Sequence, residues 1–289
     1  MGRLLIVADD EVNCSATRRG LELAAKLGHE VDVVAFTYAS LKSLKVTQAK
    51  RDSLRKHLLS ERKKVVLARI NEYRKRGQKV ELTVVWEKDL ARWLIDQCQR
   101  DRYTMVVKTG SRSESLFQTS TDWQLLRECP APLLLVAKQK WDRVKPVLAT
   151  LDLSSKAPAK QALNRKVLGE AQALARTLGV ELNIIAAVEV PALLSELDLV
   201  DPLAYARDAK EAMKPQIRKL AKQYGIPEST FHYKRGPVEK VITSYAAKVR
   251  AQIVVMGTVG RKGVRARLLG NTAERVLQRL KTDVLAIKP

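Results

Sequence analysis

Short apolar runs alternate with helical repeats along the whole chain. Residues 4–8 (LLIVA), 31–36, 80–86, 103–107 and 133–137 are continuous or near-continuous apolar runs of strand length, the pattern of strands covered on both faces. Between them the apolar positions recur at helical spacing. Leu21, Ala24, Ala25 and Leu27 predict a helix over 15–27 closed by Gly28, and Leu54, Leu58, Val65, Ile70 and Tyr73 predict a long helix over 47–76 stopped by Gly77. Shorter helices are predicted over 89–100 and 121–129. Strands that alternate with helices of this length imply right-handed crossovers and a parallel sheet.

The pattern then begins again. VLATLD (147–152) repeats LLIVAD (4–9), setting Asp152 where Asp9 stood. A helix over 160–178 ends at Gly179, a strand follows at 182–188, and a long helix over 204–224 contains Pro215, which predicts a kink or a division into two. Strands near 231–234, 253–255 and 284–287, with helices over 238–250 and from 271, complete the second set. Val106–Val107 match Val254–Val255, and Leu126 and Leu133 match Leu277 and Val284 at an offset three residues larger. The chain is therefore a tandem duplication whose first copy has lost three residues from the loop after its fourth strand. Two α/β domains are expected, 1–140 and 146–289, each a parallel five-stranded sheet with helices on both faces.

Composition changes this picture in one respect. The formal net charge is +22, and it is shared, with 27 basic and 17 acidic residues in 1–141 against 26 and 14 in 142–289. A field of that sign concentrates anions. The basic helix 47–76 has almost no interleaved aromatic residues, so a solvated face or an acidic partner is expected there rather than nucleic acid. Cys14, Cys98 and Cys129 have no metal-ligand spacing and read as reduced thiols of a cytoplasmic protein. No apolar run reaches the roughly 18 residues of a membrane span. His29, His57 and His232 have no spacing for a metal or a proton relay, and Asp9, Asp10 and Glu11 read as solvated charges at a strand end. Neither catalytic residues nor a metal site is expected.

The chemistry-bearing stretch is 253–277. A buried strand empties into a loop punctuated by Gly257, Gly260, Gly263 and Gly270 and carrying Arg261, Lys262, Arg265 and Arg267, and a helix begins near Asn271. Backbone N–H groups at such a helix start, with glycines that let the backbone approach, suit a phosphate. The order of elements, the aspartate closing strand one, and Gly257-x-x-Gly260 followed by Gly270 resemble the universal stress protein family, over essentially the whole chain and once per half. The resemblance implies a Rossmann-like fold of the adenine nucleotide α-hydrolase-like type. It implies an adenine nucleotide, ATP with Mg²⁺, in the second domain, bounded by Asp152, Ala187, Met256, Gly257, Gly260, Gly270, Asn271 and Thr272.

Asn271 stands where the family pattern has Ser or Thr. Its amide can donate to a phosphate oxygen, or Asn271-x-x-Glu274 can serve as a capping box. In the first half Thr109, Arg112 and Thr119 replace the three glycines, Thr121 heads a helix-capping sequence, and Asp122 places a negative charge in the first helical turn, so no nucleotide is expected there. The resemblance also implies that the halves form an intramolecular pseudo-dimer through strands 133–137 and 284–288, with a further homodimer of tandem chains left open. The competing expectation is a scaffold or carrier for another anionic or amphipathic ligand, such as a metabolite or lipid headgroup, motivated by the charge and by the apolar insert around Leu193 and Leu194.

Overall fold

The strand β1 (Arg3–Val7) forms because four successive apolar side chains leave no solvent face, and all four are buried. The computed structural model describes residues 2–9, 14–110, 121–137, 144–191, 200–258 and 270–289. Two units are present, Met1–Lys138 and Gln139–Pro289. In the first, β1 pairs with β2 (Glu30–Thr37) and β4 (Met105–Thr109), β2 with β3 (Val80–Trp86), and β4 with β5 (Leu133–Val136). Every pairing is parallel and the order is β3-β2-β1-β4-β5. Helices α1 (Ser15–Leu27), α2 (Gln48–Tyr73), α3 (Leu90–Arg100) and α4 (Thr121–Glu128) supply the crossovers.

The second unit repeats the plan with β6 (Val147–Thr150), β7 (Leu182–Val188), β8 (Phe231–Arg235), β9 (Ile253–Gly257) and β10 (Asp283–Ile287), in the order β8-β7-β6-β9-β10. Its described helices are α5 (Pro158–Leu178), α6 (Pro202–Tyr224), α7 (Val238–Lys248) and α8 (Asn271–Arg279). Gly28 and Gly179 close the matching helices α1 and α5 in the left-handed conformation, at φ 66° and 70°, which an L side chain resists. The order of each sheet places a topological switch between its first and fourth strands. There the crossovers diverge and open a crevice at the strands' carboxyl ends.

Two expected helices differ in detail. The helix α2 ends at Tyr73, three residues before the expected boundary, and Arg74 is already extended. Its buried face is carried by Val66 and Ile70, while Val65 is 56% exposed. The inner stripe runs at i, i+4 spacing through Leu54, Leu58, Arg62, Val66 and Ile70, so Val66 takes the place that Val65 was expected to fill and the half-buried Arg62 lies on the same stripe. The helix α6 is one helix through Pro215 rather than two. Its buried Met213, Ile217, Leu220 and Ala221 flank the proline on both sides, so packing against the sheet offsets the lost backbone bond.

Candidate functional site

In the second unit the switch point lies between β6 and β9. Thr150 pairs with Ile185 of β7 on one side and Met256 of β9 on the other. Asp152 follows two residues later. Its position is fixed by Asn164 of α5, a side chain only 4% exposed. The Asn164 amide donates to Asp152 O at 2.8 Å, and the Asp152 N–H donates to Asn164 Oδ1 at 3.0 Å. The Asp152 carboxylate points outward, with Lys160 Nζ at 2.7 Å and the Ser154 hydroxyl donating at 2.9 Å. Carrying the β6–β7 register forward sets the half-buried Ala187 beside it. Asp152, Ala187 and Gly257 thus lie at or just past the carboxyl ends of three adjacent strands, β6, β7 and β9.

Gly257 has a packing reason of its own. A Cβ there would stand 2.6 Å from Leu163 Cδ2 and 2.8 Å from Leu163 Cγ, a separation real atoms do not adopt, so α5 rests directly on the backbone of β9. Met256 is buried within the same strand. The next residue, Thr258, is tied to β10, its N–H donating to Ile287 O at 2.8 Å. The helix α8 then opens with Gly270 as its N-cap, Glu274 N–H donating to Gly270 O at 3.0 Å. Asn271 is therefore the first helical residue and not the cap, and the capping box expected from Asn271 and Glu274 is not formed in that register. A glycine cap carries no side chain that could accept from the first N–H groups of the helix. Thr272 is half-buried on that first turn. Gly260, the four cations of the loop and the Asn271 side chain lie outside the described residues.

The first unit closes the same place with its own side chains. Lys108, at the position of Met256, is buried, and its ammonium lies 2.7 Å from Asp122 Oδ1 and donates to Thr109 O at 2.8 Å. Asp122, at the position of Ala273, sits in the first turn of α4, where a carboxylate meets the positive end of the helix. Thr121 is the first helical residue of α4 rather than its cap, position 120 lying outside the described residues. The backbone N–H of Ala16, in the first turn of α1, donates both to Asp9 Oδ2 and to Thr109 Oγ1 at 3.1 Å. Arg62 reaches over from α2 and donates to Asp9 O at 3.0 Å. Asp9 is consequently not the solvated charge its place in the sequence suggests. Burial raises its pKa, against the opposing influence of its hydrogen bonds and of Lys108.

Three of these residues were not singled out for the site in the sequence. Arg62 lies on the basic helix whose face the sequence assigns to solvent or an acidic partner, although its place in the i, i+4 apolar ladder is the available signal. Lys108 lies inside an apolar strand, MVVKT, where a lysine signals a buried partner. Nothing in the local sequence of Asn164 announces its hold on Asp152. Of the histidines, His57 is exposed, His29 is half-buried with its ring over Gly2, and the His232 ring lies 5.3 Å from that of Tyr245. Among the described residues no group of three or more His, Cys, Asp or Glu side chains could hold a metal ion, and no helix is long and apolar enough to cross a membrane.

Comparison with known proteins agrees with the duplication. The model of the universal stress protein family matches twice, over residues 1–137 and 145–288. Universal stress protein E of Escherichia coli K12 is 30% identical over 99% of this chain and 93% of its own length, and that of Salmonella typhi is equally similar. Among solved structures, a functionally unknown protein of Pseudomonas aeruginosa PAO1 superposes with a TM-score of 0.71 at 24% identity, covering 99% of this chain and 92% of that one. A universal stress protein from Archaeoglobus fulgidus gives 0.65 at 19%, over 99% and 96%. With a family match over each half and a full-length relative at this identity, the chain belongs to the universal stress protein family, in its tandem two-domain form.

Proposed function

We propose that this stress-response protein of the universal stress protein family works by binding rather than by catalysis. In this reading its second unit takes an adenine nucleotide, ATP with Mg²⁺, and its first does not. The observation that carries the asymmetry is the Lys108–Asp122 pair. In the first unit a built-in carboxylate already meets the first turn of α4. In the second unit the same two positions hold Met256 and Ala273, both uncharged, and the helix opens on the bare Gly270 cap. The residues there fit the ligand. Ala187 is small enough to admit a base against the β7 backbone, the Asp152 carboxylate is 42% exposed, and the glycine cap leaves room for phosphate oxygens. Gly260 and the loop cations would face the phosphates.

Isothermal titration of the whole chain with ATP and Mg²⁺ tests this. One site per chain is expected, abolished by Gly260→Arg. Binding that survives Gly260→Arg, or a second site of equal strength, would overturn the reading. Buried thiols at Cys14, Cys98 and Cys129 support a reducing, cytoplasmic setting.

A second reading rests on an open cavity of about 470 Å³ at the ends of β7 and β8, bordered by Glu189, Pro191, Pro202, Arg235 and Pro237. Its volume suits a small metabolite, and Arg235 would favour an anionic one. Native mass spectrometry separates the two, since co-purified nucleotide favours the first and another small anion the second.

A further inference from the structure

The crossover from β2 to α2 is the most unusual surface of the first unit. Every residue from Lys42 to Lys50 is exposed, yet the stretch includes Leu44 and Val46, 41% and 38% exposed, and just before it stands Tyr38 at 50%. Large apolar side chains grouped on one exposed segment mark an interaction surface. The charges around them have one sign. Between Asp32 and Asp52 the sequence holds Lys42, Lys45, Lys50 and Arg51 and no acidic residue. The first turn of α2 has no acidic residue either, so the helix's positive end adds to the field.

Three contacts join this segment into one surface with the end of β3. Arg51 donates to Leu44 O at 3.1 Å, fastening the crossover to α2. Farther along the helix, the Arg55 guanidinium lies 5.5 Å from the centre of the Trp86 ring, and the Tyr38 ring lies 5.8 Å from it on a tilt. The aromatic residues that the basic helix lacks in sequence are thus delivered to it by the fold.

We propose that this surface docks the protein on an anionic phospholipid bilayer. Amphipathic aromatics and short aliphatic side chains enter the headgroup boundary, and the surrounding lysines meet the acidic lipids. Single-stranded nucleic acid would use the cations and a stacked ring, but it has no use for exposed Leu44 and Val46, and Arg55 occupies a face of Trp86. The aliphatic pair therefore favours the bilayer. Acidic neighbours are few; Asp52, Glu87 and Asp89 lie at the margin and do not enter the stretch 33–51.

The test is co-sedimentation of the full chain with phosphatidylcholine vesicles containing about one part in three phosphatidylserine, beside pure phosphatidylcholine vesicles. Binding is expected only to the anionic vesicles. Lys42→Ser with Lys45→Ser should weaken it by about 25-fold, roughly fivefold per cation. Leu44→Ser with Val46→Ser should weaken it by about tenfold at unchanged charge, and circular dichroism should show both pairs folded. Lys219→Ser with Lys222→Ser, exposed on α6 of the other unit, makes the same charge change elsewhere and should have little effect. Equal loss from that control pair, or no loss from the apolar pair, would reduce the effect to net charge and overturn the proposal. Tight binding of an oligothymidylate without vesicle binding would assign the surface to nucleic acid instead.

Discussion

The Lys108–Asp122 pair can be removed by rewriting the first unit with the residues of the second, and the outcome separates a structural ion pair from a stabilising one. Both side chains are nearly buried, 11% and 8% exposed, and their charged atoms are 2.7 Å apart. At that depth neither charge is stable alone. Lys108→Met takes the ammonium away from the Asp122 carboxylate, and Asp122→Ala takes the carboxylate away from the ammonium, which still donates to the Thr109 carbonyl. Removing one member of a buried pair costs about 3–5 kcal/mol, because the survivor has lost the charge that offset its desolvation. Replacing both members by apolar residues is often neutral, or stabilising by about 1–4 kcal/mol. The loss of a carboxylate from the first turn of α4 works against this by about 0.3–1 kcal/mol.

The double variant Lys108→Met/Asp122→Ala should therefore be more stable than either single variant. It should lie within about 1 kcal/mol of the parent or above it. The assay is selective by composition. Trp86, Trp93 and Trp123 lie in the first unit and Trp141 alone in the second, so in a Trp141→Phe background tryptophan fluorescence in urea follows the first unit. Single variants that each cost less than about 1 kcal/mol would refute the reasoning, because an exposed pair behaves in that way. Additive losses in the double variant would refute it equally.

Other outcomes follow from the same geometry. Gly257→Ala drives a Cβ into Leu163 and should cost about 1–3 kcal/mol, read from the chemical-denaturation midpoint of the second unit by far-UV circular dichroism. Leu163→Ala, itself costing about 2–5 kcal/mol at this buried position, should combine with it sub-additively, which a purely phosphate-binding role for Gly257 would not predict. Asn164→Ala removes both bonds to the Asp152 backbone and should cost about 1–3 kcal/mol, with weaker ATP binding in titration; unaltered stability would show that the clamp is dispensable. Asp9 is an acid whose pKa is raised on folding from an ordinary 3.8. The folded state then holds its proton to higher pH than the unfolded chain, so this group's contribution to stability falls as pH rises from about 4 through the folded pKa. Asp9→Asn should remove that slope from the urea midpoint of the first unit while leaving an oxygen to accept from Ala16. A slope that survives the substitution assigns it to another group.

The duplication made most of the fold legible, because each half checks the other. The strands at 80–86 and 182–188 and the glycine ends of α1 and α5 follow from local pattern alone, since short apolar-rich runs and a left-handed cap are properties of neighbouring residues. The site was legible only where it is backbone. A glycine loop between a strand and a helix can be read from spacing, but the side chains that close the first copy come from separate elements. Arg62 belongs to α2, Lys108 to β4 and Asp122 to α4, and only the parallel register brings their atoms together. A charged residue in an apolar ladder was the one local trace of this, at Arg62 and again at Lys108. Gly257 shows the opposite error. A motif glycine reads naturally as room for phosphate, yet the Cβ it lacks would meet Leu163. The ligand alone therefore does not account for Gly257, and the presence of Thr109 at its place in the first copy is consistent with both losses at once. There the hydroxyl turns to the N–H of Ala16, so the change that removed a close backbone approach also supplied a bond closing the crevice from within. A nucleotide entering the first unit would have to break that bond and separate Lys108 from Asp122. The second unit has Met256 and Ala273 in place of that pair, although its Asp152 carboxylate is itself held by Lys160 at 2.7 Å, and the proposed difference between the two units is thus one of competing internal ligands as much as of missing glycines.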